Sequence, residues 1–194
     1  MAYNITLEGK NKVIAERMLE RVAKIFDLCD ITYWLEGGTL LGIRRESRLL
    51  PWDDDIDVSI MVDQSSKLPK LYKALKKANC RVKLRHFENN DSPFQKGNLR
   101  MIKIRERRFF GLLKGAVCLD VFIKYPLDED TYWEIANKKK KVPSTFYQSF
   151  KTIDFKNYSY SIPELTDDYL TYRYGEWQTP VKDWDTANDD KALA

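Results

Sequence analysis

The stretch Leu50-Pro51-Trp52-Asp53-Asp54-Asp55-Ile56-Asp57-Val58-Ser59-Ile60-Met61 decides how this chain is read. A Pro-Trp corner opens it, acids crowd Asp53 to Asp57, and from Asp54 polar and apolar residues alternate as on a strand. Successive strand side chains point to opposite faces, so Asp55, Asp57 and Ser59 share one side while Ile56, Val58 and Ile60 anchor the other. Residues two apart on a strand lie about 6.5–7 Å apart at Cα, so both carboxylates can lean onto one hard cation. Mg²⁺ suits such a pair, because it takes one or two carboxylates and completes its octahedron with waters and phosphate oxygens. Without a cation, like charges this close repel and raise a pKa. A calcium loop starting at Asp53 fails, since Val58 and Gln64 stand where such a loop needs Gly and a final Glu.

Downstream, Val117-Cys118-Leu119-Asp120-Val121-Phe122-Ile123 is an apolar run with one acid inside it. Aspartate is rarely buried unless paired or bound to metal. Alternation puts Cys118, Asp120 and Phe122 on one face. If this strand lies beside the Asp55/Asp57 strand, three carboxylates converge, enough to hold two ions about 3.5–4 Å apart. Upstream, Glu36-Gly37-Gly38-Thr39 lies where a strand meets a helix. Glycines admit close backbone approach, and helix N-terminal N–H groups attract phosphate. Arg44, Arg45 and Arg48, in the connection to the acids, are candidates to neutralise a diphosphate.

Further out, Ile14, Met18, Val22, Ile25 and Phe26 predict an amphipathic helix over about 9–29. Ile31–Glu36 reads as a strand, Thr39–Arg45 as a short helix, and Ser65–Asn79 as a second amphipathic helix. Cys80–His86 and Leu99–Arg105 read as strands, with a turn at Asn89–Pro93 between them. Lys138–Lys141 reads as the exposed end of a helix, where its charge complements the dipole. Ser161-Ile162-Pro163-Glu164 reads as a capping box for a last helix closed by Gly175. Interleaved strands and helices give an α/β (α+β) class, a small mixed sheet flanked by helices. A single domain of 194 residues is expected, with a core over about 31–125 and a helical part over about 126–194.

Composition narrows the chemistry. Three cysteines, Cys29, Cys80 and Cys118, are too scattered for a disulfide framework or zinc pair, and read with the lone histidine, His86, as packing residues. A Ser-His-Asp triad would rest on His86 alone, and no HExxH occurs, so carboxylates, metals or backbone must carry the chemistry. A net charge of +4 with 32% charged residues is a mild surplus, not the basicity of a dedicated nucleic-acid binder. A binding module built on Arg81, Lys83, Arg85, Arg105, Arg107 and Arg108, with Phe87, Phe109 and Phe110 interleaved, is the rival from another class, and no nucleic-acid partner is expected. Trp133, Trp177 and Trp184 are candidates to stack a base or cationic head group, against plain packing. No apolar run of membrane-spanning length and no secretion signal is present, so a cytoplasmic chain with at most peripheral membrane contact is expected.

Gly38-Thr39-Leu40-Leu41-Gly42, Arg45 and Leu50-Pro51-Trp52-Asp53-Asp54-Asp55-Ile56-Asp57 together resemble the LicD / fukutin-related family of the nucleotidyltransferase-fold superfamily. Gly37-Gly38, Asp55-Ile56-Asp57 and Asp120 fill that superfamily's pattern of a glycine turn, an Asp-x-Asp strand and a later acid. Tyr174-Gly175-Glu176-Trp177, then Thr179-Pro180, is similar to the family's closing motif, so the resemblance runs from about Tyr33 to Pro180. Arg48 departs from it, standing where the family often has Gly. The resemblance implies a nucleotidyltransferase-like fold. It also implies transfer of a phospho-alcohol, of phosphocholine or polyol phosphate type, from a CDP-activated donor to a glycan or glycolipid hydroxyl, releasing CMP. On that reading Asp55 and Asp57 hold Mg²⁺, with Mn²⁺ as the alternative. Asp120 holds a second ion or takes the acceptor proton, and Gly37, Gly38 and Thr39 cradle phosphate with Arg45 assisting. The closest rival moves a nucleoside monophosphate and releases pyrophosphate.

Overall fold

Apolar residues recur every three or four positions along α1 (Gly9–Leu28), and Ala15, Met18, Leu19, Val22, Ala23 and Phe26 form its buried stripe. The computed structural model describes residues 4–108 and 113–194. After α1 come β1 (Tyr33–Leu35), α2 (Gly37–Glu46), β2 (Ile56–Met61), a 3₁₀ segment over Val62–Lys67 and α3 (Leu68–Lys77). Then follow β3 (Cys80–His86), β4 (Leu99–Arg108), β5 (Leu113–Lys114), β6 (Leu119–Leu127), β7 (Asp130–Ile135) and β8 (Lys138–Pro143). A separate hairpin, β9 (Phe150–Phe155) and β10 (Tyr158–Pro163), leads into α4 (Thr166–Tyr174).

The central sheet runs β1-β2-β6-β4-β3, and β6 extends into antiparallel β7 and β8. Only the β2–β6 pair of this path is parallel, so the sheet is mixed, as expected. Ile56, Val58, Ile60, Leu119, Val121, Ile123, Ile102 and Ile104 fill one face of it, and β2 and the first part of β6 are covered on both faces. α3 packs on β3 and α1 on α3, which leaves the ends of β2 and β6 to form the site.

The expected helical part over 126–194 is corrected. That region is mostly β7, β8, β9 and β10, with α4 its one α-helix among the described residues. Ala136 and Asn137, both at positive φ (51° and 58°), join β7 to β8 in a two-residue loop of the type that suits strand twist. Ala lacks the turn signal of Gly, and four lysines in a row mimic a solvated helix end. Instead Lys138–Lys141 lies in β8, with Lys140 fully buried and 3.3 Å from Asp190. Ser161–Pro163 closes β10 rather than capping a helix, and α4 starts at Thr166, whose hydroxyl donates to the Pro163 carbonyl. Gly175, at φ 69°, ends α4 as expected.

Candidate active site

The parallel register of β2 and β6 sets Asp57 directly beside Asp120, and β4 sets Lys103 on the far side of Asp120. The Asp57 backbone is pinned from two directions. Its carbonyl accepts from the Glu36 N–H at 3.1 Å, and its N–H donates to Thr39 Oγ1 at 2.9 Å. The start of α2 and the start of β2 are thereby one unit. Gly37 and Gly38 are required there: a Cβ on Gly37 would come within 2.4 Å of Asp57 Oδ2, and one on Gly38 within 2.0 Å of Asp53 Oδ2. Gly37 also holds a φ of 54°, which side chains rarely adopt.

Asp55 lies in the bend just before β2 rather than on the strand. Carboxylate oxygens of Asp53, Asp54 and Asp55 come within 4.8 Å of one another, a grouping the strand-alternation reading did not find. Asp55, Asp57 and Asp120 do not form such a mutual group among the described residues, although Asp57 and Asp120 are adjacent by register. Burial pushes the Asp53 carboxyl up to about 6. Burial, then repulsion from Asp120 and Asp53, pushes Asp55 well above the carboxylate range, and burial with Asp55, Asp53 and Asp120 does the same to Asp57. Several hard oxygens forced together against their own repulsion are the donor set that a small divalent cation fits.

The other predicted residues take varied places. Thr39 is buried, with its hydroxyl on the Asp57 backbone. Arg45 reaches the cleft wall but is held by Glu46 (2.6 and 2.9 Å) and by the Trp177 carbonyl at 3.0 Å. Arg44 pairs with Asp167 and Arg48 with Glu46. The cleft, about 670 Å³, is lined by the acids and glycines, by the basic side chains of Arg85, Arg100 and Lys103, and by the aromatic rings of Trp52, Tyr174, Trp177 and Trp184. Trp133 is instead buried beneath Lys124, 3.2 Å from its ammonium. Cys118 is more than packing: its thiol donates to Asp120 Oδ1 at 3.1 Å. Cys29 and Cys80 are buried and free, and His86 is exposed.

The basic stripe is real, with Arg81 opposite Arg105 and Lys83 opposite Lys103, but Phe87 is buried in a stack on Phe94 and offers no ring to a base. Phe109 and Phe110 lie outside the described residues. No helix among the described residues is long and apolar enough to cross a membrane.

Behind the glycine turn lies a buried ionic cluster that the sequence did not disclose. The Glu36 carboxylate accepts from the Gly37 N–H at 3.1 Å, Ser59 Oγ at 3.1 Å, Arg173 Nη1 at 2.8 Å and the Tyr169 hydroxyl, with Lys124 Nζ 2.9 Å away. Arg173 also binds Asp190, which meets Lys140. Burial alone would raise Glu36, but Lys124 and Arg173 outweigh it and hold its carboxyl at about 2. Burial lowers Lys124 to about 8 despite Glu36.

These opposed shifts give a testable pH dependence. Asp53, Asp55 and Asp57 have folded pKa values above the unfolded one, so the folded state holds more protons. The stability they give is full below about pH 3.9 and is lost as pH rises through about 6 and beyond. Glu36 runs the other way, stabilising above about 4.5 and failing as pH falls toward about 2. A divalent cation held by these acids would need them ionised, so Mn²⁺ at about a hundred times its Kd should raise the melting temperature by roughly 5–10 °C at pH 7.5. The shift should shrink toward pH 5, as read by differential scanning fluorimetry. An equal shift at both pH values would mean that the ion binds elsewhere.

Residues 30–164 match the family described as LicD/FKTN/FKRP, nucleotidyltransferase domain. The chain is 27% identical over 176 residues to the ribitol-5-phosphate transferase FKTN of Mus musculus, covering 88% of this chain and 34% of the relative. Its Homo sapiens counterpart is likewise 27% identical, over 177 residues. The uncharacterized protein RP689 of Rickettsia prowazekii is 24% identical, covering 88% of this chain and 58% of that one. The chain thus spans about a third of the length of the FKTN relatives. Among solved structures it is similar to ANT(2")-Ia in complex with adenylyl-2"-tobramycin, at 16% identity and a TM-score of 0.47, covering 88% of this chain and 81% of that one. With its glycine turn packed on Asp53 and Asp57, and Asp120 beside them, the chain belongs to the LicD/FKTN/FKRP nucleotidyltransferase-domain family.

Proposed function

We propose that this chain transfers a phospho-alcohol from a CDP-activated donor to a hydroxyl of a glycan or glycolipid, releasing CMP. The observation that carries this reading is the placement of Asp57 beside Asp120, in a cleft whose lining also includes Asp53, Asp55 and the basic side chains of Arg45, Arg85, Arg100 and Lys103. The FKTN relatives are named as ribitol-5-phosphate transferases, which favours a polyol phosphate over phosphocholine as the moved group. Asp55 and Asp57 would hold Mg²⁺ or Mn²⁺, which would supply charge neutralisation and orientation to the diphosphate.

The chain's own groups do the rest. The bare backbone at Gly37 and Gly38 lets a phosphate approach the start of α2, whose N-terminal end favours anions. Arg45, fixed by Glu46 and the Trp177 carbonyl, presents a cation to the cleft. Trp52, Trp177 and Trp184 offer flat surface to the nucleoside. The acceptor oxygen attacks the phosphorus that bears the alcohol, the bond from that phosphorus to the CMP oxygen breaks, and Asp120 takes the acceptor proton. Three buried cysteines held in no disulfide suit a reducing compartment such as the cytoplasm, and a glycolipid acceptor would bring the chain to a membrane surface peripherally.

The experiment is a panel of CDP-ribitol, CDP-glycerol and CDP-choline with Mg²⁺ and a mixed glycan acceptor pool, assayed for CMP and, with CTP, for pyrophosphate. CMP release from one of the CDP-alcohols is expected. Pyrophosphate release from CTP plus an alcohol phosphate, without CMP from any donor, would replace phospho-alcohol transfer by nucleotidyl transfer.

A further inference from the structure

Lys103 lines the cleft beside the acids. It lies directly across from Asp120, its ammonium touches Asp120 Oδ2, and its side chain is only 16% exposed. The other oxygen of Asp120 accepts from the Cys118 thiol. Across three neighbouring strands the row reads Asp57, Asp120, Lys103, and the charge of Lys103 also reaches Asp55, where it opposes the effects of burial and repulsion.

Two-ion phosphotransfer sites place their cations about 3.5–4 Å apart, on carboxylates that both ions approach. Here the flank of Asp120 that faces away from Asp57 is taken by an ammonium delivered from the sheet itself. We propose that Lys103 stands in for a second divalent cation, so that the site takes one Mg²⁺ or Mn²⁺ on its Asp55/Asp57 side while Lys103 supplies the second positive charge to the donor's phosphate oxygens. An ammonium carries three N–H donors, so it can hold Asp120 and a phosphate oxygen at once. A dication drawn to the same flank would be pressed against a like charge in a sparsely hydrated place. Lys103 arrives on a central strand in fixed register, and so differs from the lysines at the sheet edge, whose solvated charges guard against edge pairing. This inference rests on the proposed metal-dependent transfer, of which it specifies the number of ions.

The test counts ions instead of turnover. Mn²⁺ is titrated into the whole chain with saturating CDP, bound ions are counted by loss of the free Mn²⁺ resonance, and the bound spectrum is examined for coupling between neighbouring ions. Wild type and Lys103→Arg should bind one Mn²⁺ per chain with an uncoupled spectrum. Lys103→Met, which frees the flank of Asp120, should bind two, with the signature of a coupled pair. Two ions in wild type, or one ion in a folded Lys103→Met, would overturn the proposal. If neither variant folds, the wild-type count decides alone, one ion supporting the proposal and two refuting it. No bound ion in wild type would instead sink the metal-dependent reading on which it stands.

Discussion

Asp57→Asn is expected to remove CMP release by on the order of 10³-fold or more while raising, not lowering, the melting temperature of the metal-free protein at pH 7.5. The two effects share one cause. Asp57 is 9% exposed, and burial together with Asp55, Asp53, Asp120 and Glu36 pushes its carboxyl well above the ordinary range. At neutral pH the metal-free fold must therefore keep a charge that its surroundings disfavour, or a proton that the solvent would remove. Asparagine has the same shape, so it keeps the close packing on the Gly37 backbone and leaves the Asp57 N–H bond to Thr39 untouched. One carboxylate of repulsion disappears, and each unit of raised pKa that is relieved is about 1.4 kcal/mol. A gain of a few degrees is expected, given about 2–4 °C per kcal/mol in a chain of this size. Mn²⁺ should no longer stabilise the variant. Paired calorimetry and CMP assays check this: a lower melting temperature with activity retained would make Asp57 a structural acid.

What the sequence disclosed and what it hid divide along one physical line. Asp57 is legible from the alternation of its strand, and Asp120 because it is an acid inside an apolar run, a local contradiction that needs no partner to be noticed. The sheet needed only the parallel register to bring them together. Asp53 and Asp54 were underweighted because alternation assigns faces only within a strand, and β2 begins after them, at Ile56. Lys124, Arg173 and Asp190 were not legible at all. Their meaning depends on Glu36, which lies 137 residues from Arg173, and an isolated Lys or Arg in a sequence looks like a solvated charge. The β7–β8 hairpin is hidden by its Ala136-Asn137 turn and its lysine-rich second strand, where the buried Lys140 finds Asp190 and the Thr186 carbonyl, both supplied by the distant C-terminal segment.

Glu36→Gln is expected to cost about 3–5 kcal/mol of stability, or roughly 10 °C in melting temperature. Glu36 is ionised at neutral pH, since its carboxyl is held at about 2, and it is the anion between two buried cations, Lys124 and Arg173. Removing its charge leaves Asp190 to balance Arg173 and Lys140, and leaves Lys124 with the ring of Trp133 beneath it. Burial already draws the Lys124 amine down to about 8, and without Glu36 it should fall further and shed its proton. Acting on the pair distinguishes this mechanism from loss of packing: Glu36→Gln with Lys124→Met should recover part of the loss, because a buried pair replaced together leaves no stranded charge. A simple sum of the two single losses would break that argument. The damage should also reach the cleft. Glu36 accepts from the Gly37 N–H, and its own N–H holds the Asp57 carbonyl, so a loosened Glu36 frees the start of α2 against β2. The KM for the donor should then rise severalfold in the single variant at a temperature where it is still folded. An unchanged KM would confine Glu36 to the stability of the fold.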